Sequence, residues 1–470
     1  LGFAAADLTV ANAIEMPFAF TVDTGTNSGT LSGVVSGNGN LTKTGAGTLT
    51  LTGTNSYTGA TDVQAGTLYV NGDQSAATGL TSVADGATLG GTGTIGGDVT
   101  LADGASLNPG TSPGTLTING NLALSGGSIL NFEFGEAGVA GGALNDLVNV
   151  GGDLTLDGTL NVSPSAGGTF GAGVYRLFNY GGTLTDNGLT LGTTPTNRLI
   201  VQTSVANQVN LINATGATFS FWDGAAGQDN GTVDGGDGIW QTAAGNANWT
   251  GANGDFNGGY DDGTFAIFQG AAGTVTIDNS LGAVTASGLQ FATDGYVIDG
   301  DTLTLDGAGA TIRVGDGSAA GETFTATIAA DVAGTAQLVK TDLGTLVLSG
   351  DNTYTGGTSL EAGSLVLGGD TALGTGALTT GAGTTVTLAD GMTLTNAITL
   401  DGDTTFGTEV LPLGTLSTAT ISGTISGSGS LNRTNGSLII TGANTYSGGT
   451  TLGGFTTITN GSALGTGTIT

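Results

Sequence analysis

Catalysis near neutral pH most often rests on histidine or cysteine, and this chain of 470 residues contains neither. Serine–histidine and cysteine–histidine nucleophile pairs are therefore missing, as are zinc sites built on imidazole or thiolate. What remains is 37 carboxylates and six cations, for a formal charge of −31. Paired carboxylates can cleave glycosidic bonds. Asp261-Asp262 is the only adjacent acidic pair, and neighbouring residues point to opposite faces of a strand or sit in a solvated turn. A lyase would need an Arg or Lys base beside calcium, and Arg176, Arg198 and Arg313 are each isolated in sequence. Gly91-x-Gly93-x-x-Gly96 matches a dinucleotide fingerprint in letters only, because it opens no helix. The residues point to a non-enzymatic protein with no catalytic set and no organic cofactor.

Two constellations stay open, both between Phe219 and Phe268. In the first, Asp229, Asp234 and Asp237 lie in the run Asp229-Asn-Gly-Thr-Val-Asp234-Gly-Gly-Asp237-Gly. Such a run can offer carboxylate and carbonyl oxygens to calcium. It lacks both the EF-hand order and the nonapeptide Gly-Gly-x-Gly-x-Asp repeat, and Asp-Gly turns explain it without metal. In the second, all three tryptophans, Trp222, Trp240 and Trp249, share the same stretch. Exposed beside Asp and Asn, they form a candidate binding patch suited to stacking on sugar rings. Buried, they form a small core beneath a long loop, which is the preferred reading.

The elements that would position such residues follow from composition. Glycine supplies 92 residues, and among the acidic residues Asp far outnumbers Glu. Asp favours turns and Glu favours helix interiors, so little material is left for exposed helix faces. Leu, Val, Ile and Phe alternate with Thr and Ser, the period-two pattern of strands with one buried and one wet face. The acidic balance excludes nucleic acid as a partner, since phosphate recognition needs clustered cations. The absence of cysteine suits a chain that crosses an oxidising periplasm without forming disulfides. No run approaches the roughly 18 apolar residues of a membrane helix. Leu1–Ala6 is too short for a signal peptide, and Gly465–Thr470 stops inside a repeating pattern; the expectation is a piece of something longer.

Repeats set the architecture. Leu41-Thr-Lys43-Thr-Gly-Ala-Gly47-Thr-Leu49-Thr-Leu51-Thr-Gly53-Thr-Asn55-Ser-Tyr57-Thr-Gly59-Ala-Thr61 returns as Leu338 through Lys340, Gly350, Asn352 and Tyr354 to Thr358. It returns again as Leu431 through Arg433, Gly442, Asn444 and Tyr446 to Thr450. Three of the six cations, Lys43, Lys340 and Arg433, thus share one repeat position. They are expected to neutralise neighbouring carboxylates on an acidic surface, and the three tyrosines to cover the core. Gly53, Gly350 and Gly442 are expected at equivalent turns, with Asn55, Asn352 and Asn444 bonding local backbone.

This motif resembles the autotransporter-associated β-strand repeat of passenger domains. So does the stretch Ala87-Thr-Leu89-Gly-Gly-Thr-Gly-Thr-Ile95-Gly through Leu107-Asn-Pro109-Gly-Thr-Ser-Pro113-Gly-Thr-Leu116. The resemblance implies an all-β, right-handed parallel β-helix (a β-solenoid), export through a C-terminal membrane barrel, and a place outside the cell at the bacterial surface. No segment here matches that barrel, so membrane contact would come only through a barrel not present in this chain. Residues 1–212 and 266–470 are expected as two solenoid stretches, and residues 213–265 as an irregular Trp/Asp-rich joint or lateral outgrowth. The expected function is a non-enzymatic passenger, a stalk or adhesin that meets host or neighbouring-cell surfaces through glycans or by self-association. A carbohydrate-binding or carbohydrate-active passenger using the joint is the alternative. A further option, ice binding on Thr-x-Thr arrays such as Thr48-Leu-Thr50-Leu-Thr52, would need threonine ladders sustained over many coils.

Overall fold

Strands of three or four residues are too short to stand alone, so each must find its hydrogen bonds on a neighbouring coil. The computed structural model, which describes residues 1–215, 218–242, 245–410 and 416–470, meets that demand by parallel stacking. Strand Thr48–Leu51 pairs with Thr67–Val70, that with Thr88–Gly91, and so on through Ser106–Pro109, Ile129–Phe134 and Thr159–Pro164. Register is set by the inward leucines. Leu49, Leu68, Leu89, Leu107, Leu130 and Leu160 form one column, each fully buried. A one-residue slip would turn such a column out to water.

The chain divides into two compact units, Leu1–Gly216 and Ala217–Thr470. Among the described residues, the first is built on sheets of nine, eight and seven strands with a smaller one of two, and the second on sheets of eleven and ten with smaller ones of four and three. Each sheet takes every second or third strand in chain order over most of its length, the signature of successive coils. Each unit is a parallel β-solenoid. Among the described residues, helix is confined to two 3-10 turns, Asn279–Leu281 and Ala319–Thr323. The stacking is not wholly parallel. In the first unit, Gly173–Tyr180 pairs antiparallel with Gln208–Asn213, which pairs antiparallel with Leu199–Gln202. In the second, Trp249–Thr250 runs antiparallel to Phe221–Trp222 and to Asn257–Gly258. Both hairpin-like covers occupy the end of a stack, where unpaired N–H and C=O groups would otherwise be exposed.

The repeated motif turns out to be a set of inter-coil braces. The Asn55, Asn352 and Asn444 side chains are buried, and their Oδ1 atoms accept from the backbone N–H of Val35, Val332 and Ile425 at 2.8, 2.7 and 2.7 Å. Those partners lie 20, 20 and 19 residues away, one full coil earlier. The Nδ2 of Asn352 and of Asn444 also donates to the following coil, at Ala372 O and Ala463 O. The bonds expected to be local are therefore inter-coil, because burial leaves the amide no water to turn to. Gly53, Gly350 and Gly442 are equivalent: a Cβ on each would stand 2.4–2.5 Å from a carbonyl oxygen of the preceding coil. Tyr57, Tyr354 and Tyr446 cover the core, each with its hydroxyl 2.6 Å from a threonine hydroxyl four residues on.

The cations correct the sequence expectation most sharply. Lys43, Lys340 and Arg433 do not lie on the surface; they are 0%, 0% and 2% exposed. Lys43 stacks between Val22 and Val63, Lys340 between Ile312 and Leu360, and Arg433 between Phe406 and Leu452. The reason is the period of two: a residue two places after an inward leucine also points inward. Each charge is met by backbone dipoles rather than by surface carboxylates. Lys43 Nζ donates to the carbonyls of Thr44, Gly45 and Ala65 at 3.0, 2.8 and 2.9 Å. Lys340 Nζ does the same to Thr341, Asp342 and Ala362 at 2.9, 2.7 and 3.2 Å. Arg433 reaches the carbonyls of Phe406 and Asn435. Three acceptors match the three donors of an ammonium, and in both lysines the third comes from the next coil.

Burial lowers the Lys43 ammonium from 10.5 to about 8 and that of Lys340 to about 7, with Asp342 opposing the shift at Lys340. Above a pH of about 7 the unfolded chain binds the proton that folded Lys340 has released, so this group makes stability rise with pH toward 10.5. Lys340→Met lacks that increment and strands three carbonyls. Thermal unfolding should show the wild-type melting temperature rising relative to Lys340→Met from pH 7 toward the onset of tyrosine ionisation near about 10. Parallel curves would refute proton release from the buried amine.

Candidate functional site

Alternation weakens after Phe219, yet the backbone rejoins the stack twice within the Trp-rich segment. Strand Phe219–Trp222 pairs in parallel with Phe265–Phe268, and Gly238–Trp240 with Thr274–Ile277. These pairings carry Trp222 and Trp240 inward, and the antiparallel strand Trp249–Thr250 adds the third indole. Trp222, Trp240 and Trp249 are 0%, 0% and 2% exposed. Ring centroids lie 5.1 Å apart for Trp222–Trp249 and 5.0 Å for Trp240–Trp249, with Tyr260 at 4.6 Å from Trp249. Phe268 packs on all three indoles and stacks on Phe291 at 5.0 Å, joining the cluster to the core of the second unit. In this arrangement no indole face is open to a sugar.

The acidic residues beside them are individually engaged. Asp229 Oδ1 accepts from Asn257 N at 2.6 Å, Asp234 Oδ2 from Asn230 Nδ2 at 2.7 Å, and Asp237 Oδ1 from Thr274 N at 2.7 Å. Among the described residues, no group of three acidic side chains gathers in a geometry that could hold a metal ion. The carboxylate buried within this segment is Asp223, which accepts from Asp234 N and from Asn257 Nδ2 at 2.6 and 2.8 Å. Burial pushes its pKa upward. Asp223 thus ties the turn at Asp234 to the strand at Asn257, and sequence reading passed it over because an Asp-Gly pair reads as a surface turn.

Elsewhere the fold joins what the sequence separates. Arg313 meets Asp342 at 3.1 Å on the next coil. Asp262 Oδ1 accepts from Thr285 N at 3.4 Å, a turn-holding contact. The threonine array does not persist either: Thr30 and Thr50 are followed on the next rungs of their outward column by Tyr69, Gly90 and Asn108. That same column borders a groove of about 450 Å³ on the first unit, lined by Tyr69, Asn108, Asn131, Asn161, Ser112 and Glu133. No candidate residue chosen from sequence lies in it. The dipeptide Leu-Asn marks three of its rungs, at 107–108, 130–131 and 160–161, but it also occurs at 144–145 and 431–432 and so singles out no groove.

A model of the passenger-associated-transport-repeat matches residues 41–70, 338–367 and 435–462. All three segments hold the asparagine and tyrosine that brace successive coils, and the first two also hold the buried lysine; Arg433 lies just before the third. With the adhesin BmaC autotransporter of Brucella suis biovar 1, the chain shares 54% identity over 385 residues, 79% of this chain. The chain is autotransporter passenger sequence. The passenger spans about a tenth of that relative, 11% of its length. It is a segment displayed outside the cell by export across the outer membrane. Its long parallel stacks of short strands suit that place, since apolar packing closes their cores in a chain without cysteine.

For the passenger's aromatic cluster, burial predicts structure before recognition. Replacing Trp222, Trp240 or Trp249 singly with Ala should lower unfolding stability in urea by about 3–5 kcal/mol. Unchanged midpoints with altered ligand or cell binding would instead return these residues to a recognition role.

Proposed function

We propose that this passenger segment is a non-enzymatic surface adhesin or stalk that contributes to attachment to host or neighbouring cells. The observation that carries the reading is the 54% identity, over 79% of the chain, to a protein named an adhesin. The physical character of the surface supports it. Four of the six cations, Lys43, Arg176, Lys340 and Arg433, are buried, which leaves an outer face rich in hydroxyls and carboxylates. Such a face resists non-specific collapse onto like-charged envelopes, so contact must be local and specific. The indoles once offered to glycans are packed against Phe268, and no observation favours the joint as a carbohydrate-active centre.

Beads coated with the purified chain should adhere to cultured host-cell monolayers several-fold more than beads coated at equal density with the heat-unfolded chain. Soluble folded chain should compete. Equal adhesion of folded, unfolded and uncoated beads would defeat the adhesive reading, whereas bead clumping without cell binding would redirect it to self-association.

A further inference from the structure

The groove on the first unit is organised by one column of outward-facing positions. Tyr69, Gly90 and Asn108 occupy successive rungs of that column, and Asn131 and Asn161 are paired rungs beyond them. The alternate positions Leu68, Leu89, Leu107, Leu130 and Leu160 are all buried, which fixes this column on the outer face. The three asparagines form a ladder. Asn161 Nδ2 donates to Asn131 Oδ1 at 2.9 Å, and Asn131 Nδ2 donates to Asn108 Oδ1 at 2.7 Å. Thr193 N closes one end on Asn161 Oδ1 at 2.8 Å. Each amide nitrogen carries two N–H groups, and the ladder uses one at Asn131 and one at Asn161. The remaining donors are presented at the spacing of the rungs, about 4.8 Å.

At the other end of the column, glycine makes room for an aromatic platform. A Cβ at Gly90 would lie 2.9 Å from Cε1 and 3.1 Å from Cδ1 of Tyr69, so the ring leans over this residue. Tyr69 is only partly buried, which leaves part of the ring accessible. A raised lip completes the groove. Ser112 adopts a left-handed φ of 83° and donates through Oγ to Glu133. Asp146, 1% exposed, clamps the lip to the strand: its Oδ1 accepts from Gly114 N at 2.8 Å and its Oδ2 from Glu133 N at 2.7 Å. The site is therefore pre-formed, with an aromatic floor, a row of amide donors and one carboxylate at the rim.

We propose that this groove binds a neutral, extended polysaccharide lying along the coil axis, with one sugar ring on Tyr69 and successive hydroxyls on the Asn108–Asn131–Asn161 ladder. A flat aromatic beside planar amides matches the alternation of apolar ring faces and equatorial hydroxyls in a linear glycan. The rung repeat is also close to the advance of one pyranose unit in such a chain. The rim carboxylate of Glu133 and the acidic chain disfavour anionic glycans. An extended peptide fits less well. Strand addition needs unpaired backbone at a sheet edge, and the strands beneath this column are paired on both sides. The site goes beyond the adhesive reading, because glycan binding is measured on the isolated chain without cells.

Isothermal titration of the purified chain with linear hexasaccharides of glucose, xylose and N-acetylglucosamine tests it. At least one should give saturable binding. Tyr69→Ala should weaken that binding about tenfold, and Asn131→Asp, which keeps the shape and removes the donor, should weaken it comparably. Tyr69→Phe should stay close to wild type. Melting curves report whether each variant folds. Independently of any folding defect, the ring signal of Tyr69 in a carbon-13 tyrosine-labelled wild-type chain should shift on titration; its absence in folded Tyr69→Phe identifies it. No saturable binding to any hexasaccharide, no effect of a folded Tyr69→Ala, or preferential binding of a serine- and threonine-rich extended peptide at Tyr69 would each overturn the proposal. Cell attachment that survives in a chain unable to bind hexasaccharides would leave the adhesive reading standing and remove this site alone.

Discussion

Apart from the antiparallel covers and the strands that end each stack, the described strands depend on the coil before and the coil after for their backbone hydrogen bonds. Strands of mostly three to six residues cannot fold as isolated hairpins, so the ladder from coil to coil is the constraint from which the other features follow. It requires each coil to present the same edge to its neighbours, and hence inward positions that stay in register, as the column from Leu49 to Leu160 does. It also tolerates insertions between strands. Adjacent rungs lie 20 residues apart at the first repeat and 30 apart at Asn131–Asn161 without loss of pairing.

Turns must then be held as firmly as strands, and the chain uses short polar side chains for this. Asp98 Oδ1 accepts from Asn121 N at 2.8 Å, Asn121 Oδ1 from Asp153 N at 2.7 Å, and Asp153 Oδ1 from Thr183 N at 2.7 Å. Such a ladder explains why Asp is abundant and Glu scarce: the shorter carboxylate reaches the next coil's N–H from a turn, and the longer one would overshoot it. The large negative charge is thus a by-product of turn chemistry as much as a property selected for the surface. Inside, the same logic appears with opposite sign, since backbone carbonyls at coil corners converge on the ammonium of Lys43 and Lys340.

Burying a cation among carbonyls gives a positional signal that an all-leucine column lacks. Removing one partner of such a set leaves several polar groups unsatisfied, so the cation position favours one register of the repeat over its neighbours. The asparagine brace works in the same direction. Its copies are not identical, since Asn55 keeps the acceptor bond to Val35 but its Nδ2 finds no partner, while Asn352 and Asn444 bond both neighbouring coils.

By itself the sequence determined the all-β solenoid, the equivalence of the three repeat copies and the kinship with passengers, because these rest on period-two alternation and on spacing along the chain. Residue type and spacing also marked Tyr57, Tyr354 and Tyr446 as core. Tertiary structure alone decided the direction and partners of the polar side chains. Lys43 reads as a surface cation by type, yet its place two residues after Leu41 buries it, and only the stacked coil supplies Ala65 O. Asn352 reads as a turn residue, yet its partners stand on other coils. The indoles were divided between patch and core until the parallel pairing of Phe219–Trp222 with Phe265–Phe268 turned them inward. Tyr69 and the Leu-Asn dipeptides carry no signal of a shared groove, because residues on different coils become neighbours only when register brings their rungs together.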